Sequence, residues 1–168
     1  MFSSGSVTEP AGGTVYLCAV DGERMAISFI QSLFGGFGSG IVAPGTGVVL
    51  QNRGACFAVG GSVEAGRRPY HTIIPGLLVR DGRLRGPFGV MGGHIQAQAH
   101  MQLVSAIVDD GLDPQAALDR PRFLVDGDVV RLEEGLWERA GELERAGIAT
   151  VREEDSLAFG GGQAILTE

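Results

Sequence analysis

Two long stretches of this chain are apolar on successive residues rather than on alternate ones: GIVAPGTGVVL (40–50) and HTIIPGLLV (71–79). A strand with one face in water alternates apolar and polar side chains, whereas a strand apolar on both sides needs cover on both faces. The chain must therefore build layers. Its two main helical patterns are Ile95–Asp110, where Ile95, Ala99, Leu103 and Ile107 recur at helical spacing, and Leu136–Ala146, closed by Gly147. Two helices most easily cover one face of one sheet. The chain alone is then expected to leave an apolar face exposed, and to dimerise, aggregate or take a partner chain. The alternative is that two sheets within the chain pack on each other.

The order of patterns narrows the class. TVYLCAV (14–20) and AISFIQS (26–32) are rich in β-branched and aromatic residues and flank the turn signal Asp21-Gly22, so they read as a hairpin. A loop of about three residues puts Thr14 across from Ser32. GIVAPGTGVVLQN reads as a third extended run, 58–69 as a loop, and HTIIPGLLVRDGRLRGPFGVM as two strands joined at Asp81-Gly82. The long helix comes next. Asp113-Pro114 caps and opens a short one that Pro121 ends. VVRLEEG is a strand, and IATVRE and GGQAILTE close the chain. Strands, helices and strands in blocks describe an α+β fold, not the regular alternation of a doubly wound sheet.

Composition excludes several functions. A net charge of −7 over 168 residues, without a Lys/Arg block, argues against nucleic acid and anionic lipid as partners. No apolar run reaches the roughly 20 residues that cross a bilayer. Residues 1–13 read as a flexible leader without the basic and apolar segments of a signal peptide, which points to the cytoplasm. Cys18 and Cys56 fit no metal spacing and read as core thiols. No cofactor and no metal is expected.

Chemistry converges on few positions. The Thr14 hydroxyl is a poor nucleophile until its own α-amine is freed; that amine, with a pKa of roughly 7.7–8.0, takes the proton at neutral pH. Freeing it means cutting Gly13–Thr14, and the glycines before Thr14 leave that carbonyl unshielded. Read without that cut, Thr14 is a β-branched residue opening a strand, and Ser32 a polar strand end. Gly92-Gly93 stand before the long helix, where bare backbone N–H groups suit a developing oxyanion or simply make a tight turn. GGFGSG (35–40) lacks the Lys-Ser/Thr ending of a phosphate loop, and Ile41 and Val42 after it read as strand rather than helix.

TVYLCAVDG, SFIQSLFGGFGSGIVAPGTGVVLQNRGACF, RRPYHTIIPG and GPFGVMGGHIQAQAH, in that order, resemble the small subunit of γ-glutamyltranspeptidases, and more closely the related amidohydrolases and acylases. The resemblance runs from Thr14 to the C-terminus. It implies a four-layer αββα sandwich of the N-terminal nucleophile type, release of Thr14 by self-cleavage, and an acyl-enzyme on Thr14. Ser32 matches the hydroxyl that bonds to the nucleophile, and Gly92-Gly93 the oxyanion hole. Asn52, Arg53, His71 and Thr72 match substrate-binding segments; read alone, His71 is equally a packed core histidine. The implied partner is a large subunit that supplies strands, helices and an arginine.

The departures from that family bear on substrate. Cys56 stands where γ-glutamyltranspeptidases carry an acid for the substrate amine, Phe34 where they carry Asn, and His71-Thr72 where they carry Ser-Ser. Arg53 adds a cation that suits a carboxylate. The expected substrate is a small amide whose acyl group bears a carboxylate. Two other readings stay open. With Met1 thirteen residues before Thr14, an orphan small subunit can be unprocessed and inactive. A small-ligand binding module built on the glycine loops is the third.

Overall fold

A computed structural model describes residues 13–57 and 64–167. The leader reading, Gly13 apart, and residues 58–63 of the expected loop lie outside the described residues. The chain divides into two compact units, Met1–Thr14 with Gln31–His71, and Val15–Ile30 with Thr72–Glu168. Strands β1 (Thr14–Val20) and β2 (Ala26–Ser32) pair as the expected hairpin. Its body belongs to the second unit, and Thr14, Gln31 and Ser32 at its open end belong to the first.

The second unit is layered. Strands β3 (Gly76–Arg80) and β4 (Arg83–Met91) form an antiparallel pair, and β8 (Gly161–Ala164) joins β4 on its other edge. The turn between β3 and β4 takes Asp81 and Gly82 to positive φ, which Asp and Gly tolerate. Phe88 and Val90 face helix α1 (Gln96–Val108) and make a core with Ile95, Ala99, Leu103, Ala106 and Ala117. Helix α2 (Pro114–Asp119) begins as the sequence indicates, the Asp113 side chain accepting from the Gln115 and Ala116 N–H groups.

Gly89, between Phe88 and Val90, faces the other way, and there the buried ring of Tyr16 lies on its bare backbone: a Cβ on Gly89 would come within 2.5 Å of that ring. The Ser28 hydroxyl donates to the Phe88 carbonyl, and the Tyr16 N–H meets the Met91 sulfur at 3.1 Å. Helix, sheet and hairpin are thus stacked within this unit. The outer side chains of the hairpin, Val15, Leu17, Ile27 and Phe29, are 43–62% exposed. Both of its faces are apolar, and one is uncovered.

The remaining elements form a small βαβ-like group. Strand β5 (Phe123–Asp126) pairs antiparallel with β6 (Val129–Leu132), and β6 pairs parallel with β7 (Ala149–Arg152) across helix α3 (Ala140–Arg145). Arg122 is buried beneath it, donating to the carbonyls of Leu118, Phe159 and Gly160.

Four expectations need correction, and one strand was missed. Of the expected strand HTIIPGLLV only the part from Gly76 onward is strand, in β3, and 71–75 is not. GIVAPGTGVVLQN is no strand; only Val42 and Val49 bridge, because Gly40, Gly45 and Gly47 take positive φ and fold the run into turns. The third helix opens as a 3-10 turn over Glu134–Arg139. Strand β5 gave no signal, being four residues long and directly after Pro121-Arg122. Cys56 is buried as expected, but Cys18 is only half-buried. Among the described residues no helix is long and apolar enough to cross a membrane.

This packing has two measurable consequences. Gly89→Ala forces a methyl into the Tyr16 ring and is expected to cost about 1–3 kcal/mol, read by urea unfolding. The buried His100 Nε2 accepts from the Val90 N–H at 2.9 Å, its ring edge-on to Phe88, and burial lowers its pKa from 6.5. The unfolded chain therefore takes up a proton that the folded chain resists. Stability is complete above about pH 6.5 and falls as the pH drops through that value. Thermal unfolding across that range should show the loss, and His100→Gln should flatten it.

Candidate active site

The hairpin turn sets the site. Asp21 Oδ1 accepts from the Glu23 and Met25 N–H groups at 2.9 and 2.8 Å, and the Asp21 N–H reaches the Met25 carbonyl. Counting outward from that closing pair, Thr14 falls opposite Ser32. Their hydroxyl oxygens lie 2.8 Å apart, as the register argument requires.

The first unit builds on that pair. The Gly13 carbonyl accepts from the Leu33 N–H at 3.0 Å, so the carbonyl of the Gly13–Thr14 peptide carries a hydrogen-bond donor aimed at its oxygen. Gly13 also lies close to the Gly36 carbonyl, where a Cβ would come within 2.7 Å. Position 13 has no room for a side chain. Beyond Ser32 the chain turns sharply: Phe34 sits at φ 76°, a conformation costly for a bulky residue, and its N–H donates to Ser32 Oγ at 2.9 Å.

Asn52 holds this loop in shape. Its Nδ2 donates to the Gly35 and Gly38 carbonyls, its Oδ1 accepts from the Gly35 N–H, and its own N–H reaches the Leu33 carbonyl. Every polar atom of the side chain is engaged with backbone. Arg53 opens the 3-10 turn Arg53–Phe57 and is only 8% exposed. Its Nη2 donates to Ser32 Oγ at 2.9 Å, and its guanidinium lies 5.0 Å from the centre of the Phe34 ring. Cys56 is buried on the same turn.

Thr14, Ser32, Phe34, Asn52 and Arg53 are therefore brought together in the first unit. His71, the last residue of that unit, is exposed rather than packed in a core, and Thr72, with which the second unit resumes, is buried. Gly92 and Gly93 belong to the second unit. Gly92 takes φ 138° against Gly160 and Ile95, where a Cβ would meet the Gly160 Cα at 2.8 Å; Gly93, at φ 65°, opens the 3-10 turn into α1. Close backbone packing by itself requires glycine at position 92. Gln96, in the first turn of α1, is a residue that the sequence pattern does not single out. It is buried, and among the described residues nothing pairs with its side-chain amide. Its one signal is faint: a polar residue four before His100 on the same helix face.

The sequence profile of the family described as gamma-glutamyltranspeptidase matches residues 2–168. The chain is 40% identical over 119 residues to the oxamate amidohydrolase proenzyme of Klebsiella pneumoniae, a match covering 68% of this chain and 22% of that protein. Among solved structures it superposes on the cephalosporin acylase of Bacillus halodurans with a TM-score of 0.84 and 43% identity, over 97% of this chain and 33% of the acylase chain. It superposes on γ-glutamyltranspeptidase of Pseudomonas nitroreducens with a TM-score of 0.75 and 25% identity, over 91% of this chain and 88% of that one. The chain thus spans about a fifth of the curated amidohydrolase and a third of the acylase.

The bracing role of Asn52 has a measurable consequence. Asn52→Ala removes three side-chain hydrogen bonds and leaves backbone groups of Gly35 and Gly38 without partners. A loss of about 1–3 kcal/mol is expected, with faster amide exchange at Gly35. Exchange there at the native rate would show that the loop holds itself.

Proposed function

The chain belongs to the γ-glutamyltranspeptidase family, with the α+β fold of its N-terminal nucleophile hydrolases, and we propose that it is the catalytic part of an amidohydrolase or acyltransferase. Thr14, freed by self-cleavage of Gly13–Thr14, is its nucleophile. The observation that carries this reading is the Thr14–Ser32 hydroxyl pair beside a Gly13 carbonyl already hydrogen-bonded by the Leu33 N–H. The word proenzyme in the name of the Klebsiella relative supports the processing step.

The chemistry runs in two halves. Thr14 Oγ1 attacks the carbonyl carbon of the substrate amide and its proton passes to the Thr14 α-amine. The C–N bond breaks, the departing amine leaves with that proton, and the acyl group stays on Thr14 as an ester. Water, or an acceptor amine, then takes the acyl group and restores the hydroxyl. The oxyanion of each half is assigned to the Gly92 and Gly93 N–H groups on the family resemblance.

For specificity, the reading is an acyl group with a carboxylate and without an α-amine. Arg53 supplies a cation in the unit that holds Thr14, and Cys56, a buried thiol, stands where an acid would hold an amine. Asn52, His71 and Thr72 complete the proposed substrate-binding set, Asn52 by holding the loop. The partner is a large subunit of the same family, seated on the uncovered apolar face of the hairpin; self-association is the alternative in its absence.

Three outcomes are expected. Thr14→Ala, assembled with a large subunit, should leave Gly13–Thr14 intact and abolish amide hydrolysis; hydrolysis at the native rate would remove Thr14 from the mechanism. Glutaryl or oxamyl amides should show a higher kcat/KM than γ-glutamyl ones; a γ-glutamyl substrate faster by about tenfold, or 1.4 kcal/mol in transition-state binding, would refute the specificity. The chain alone should self-associate in sedimentation at low micromolar concentration and bind a hydrophobic dye. A well-behaved monomer with no dye binding would show that its hairpin face needs no cover.

A further inference from the structure

Arg122 is buried, and its guanidinium donates to main-chain carbonyls: Nη2 to Leu118 at 2.7 Å, and Nη1 to Phe159 at 3.2 Å and Gly160 at 2.9 Å. A buried cation is costly unless its donors are used, and two of these three acceptors lie at one place, the end of the 3-10 turn Ser156–Phe159. There Gly160 takes φ 70° and its N–H reaches the Leu157 carbonyl. The last pair of the ladder between β4 and β8 is Met91 with Gly161, so Gly160 stands just outside that ladder.

The contacts of Gly160 show what this anchor sets. A Cβ on Gly160 would come within 2.0 Å of the Met91 carbonyl oxygen, and a Cβ on Gly92 within 2.8 Å of the Gly160 Cα. Two bare backbones therefore lie against each other. The Met91 carbonyl and the Gly92 N–H are the two ends of one peptide unit, planar and trans, so they point in opposite directions. Packing that fixes the carbonyl also fixes the N–H. Gly92 itself sits at φ 138°, in a region that suits glycine alone, and having no side chain it is held there by its surroundings.

We propose that Arg122 is a positioning residue for the oxyanion site: by holding the Phe159 and Gly160 carbonyls it seats Gly160 against the Met91–Gly92 peptide and so aims the Gly92 N–H. This rests on the assignment of the oxyanion to the Gly92 and Gly93 N–H groups. A donor aimed in advance stabilises developing charge without reorganising at the moment of reaction, and a small displacement of it is costly. Arginine suits the task, because its planar fork reaches several carbonyls at once, whereas a lysine ammonium is a single point charge.

The test separates binding of the transition state from binding of the ground state. The processed protein, assembled with the proposed large subunit, is given a glutaryl anilide, glutarate, and a boronic acid on the same carboxylate chain. Thr14 Oγ1 adds to the boron, its proton passes to the α-amine, and the boron becomes a four-coordinate anion with an oxygen in the place of the oxyanion. Arg122→Met is expected to lower kcat and the affinity for the boronic acid by about tenfold or more, with KM and the Kd of glutarate changed less than about twofold. Arg122→Lys should recover part of both losses. Asp113→Ala removes the α2 cap and lowers stability without touching Gly160, and should change none of the four values. With glycine amides labelled with 15N, the Gly92 and Gly93 signals should move when the native protein takes up the boronic acid, and the Gly92 signal should move less in Arg122→Met.

Equal losses of affinity for the boronic acid and for glutarate would overturn the proposal and leave Arg122 as a tie between α2 and the turn before Gly160. An unchanged kcat in Arg122→Met, or the same fall in Asp113→Ala, would overturn it too. Where Arg122→Met does not mature, Arg122→Lys carries the same comparisons: a smaller loss of kcat and boronic acid affinity with glutarate binding intact supports the proposal, and native values overturn it. Gly92 and Gly93 signals that stay in place with the boronic acid on Thr14 would refute the oxyanion assignment, and the proposal with it. Unchanged boronic acid binding by Thr14→Ala would instead refute the nucleophile reading.

Discussion

The ring of Tyr16 rests on the bare backbone of Gly89, and the geometry of the strand that begins at Thr14 depends on that contact. Tyr16 is almost fully buried, and its hydroxyl lies 2.9 Å from that of Ser28. Burial pushes its pKa up to about 12, so it stays neutral and the contact is insensitive to pH in the working range. Side chains two apart on a strand share a face. Anchoring Tyr16 inward therefore turns Cys18 the same way, and sends Val15 and Leu17 outward. One aromatic-on-glycine contact thus selects the apolar face of the hairpin that is left uncovered.

Much of this was legible in the sequence because it is local. The hairpin register needed only the Asp21-Gly22 turn, the α2 cap only Asp113-Pro114, and the body of α1 only the spacing of Ile95, Ala99, Leu103 and Ile107. What failed was also physical. GIVAPGTGVVL has the composition of a strand, but Gly40, Gly45 and Gly47 adopt positive φ and break it into turns. Strand β5 is too short for a period to emerge, and it forms because β6 offers an edge. Cys18 was expected inside on residue type, yet the inner face of a two-stranded hairpin covers it only in part.

The candidate site was legible as a set of residues and not as an arrangement. Strand pairing put Thr14 across from Ser32, and their roles came from the resemblance. Asn52 and Arg53 were marked as substrate-binding by resemblance, and no pattern in the chain indicates that one braces a glycine loop while the other reaches the hydroxyl of Ser32. Those contacts close across the residues between Ser32 and Asn52, whose path is set by glycines at positive φ and by the strained Phe34. In this chain Phe34 and Arg53 act as one feature: a ring that holds a cation, and a cation that holds a hydroxyl.

The central claim is that an ester forms on Thr14. The protein, assembled with the proposed large subunit and turning over an amide with a carboxylate-bearing acyl group, can be quenched in acid, digested and mapped by mass. The account predicts a peptide that begins at Thr14, with no Gly13 attached, and that carries the mass of the acyl group on its first residue. An acyl group on any other residue, or turnover by a chain in which Gly13 and Thr14 are still joined, would contradict it.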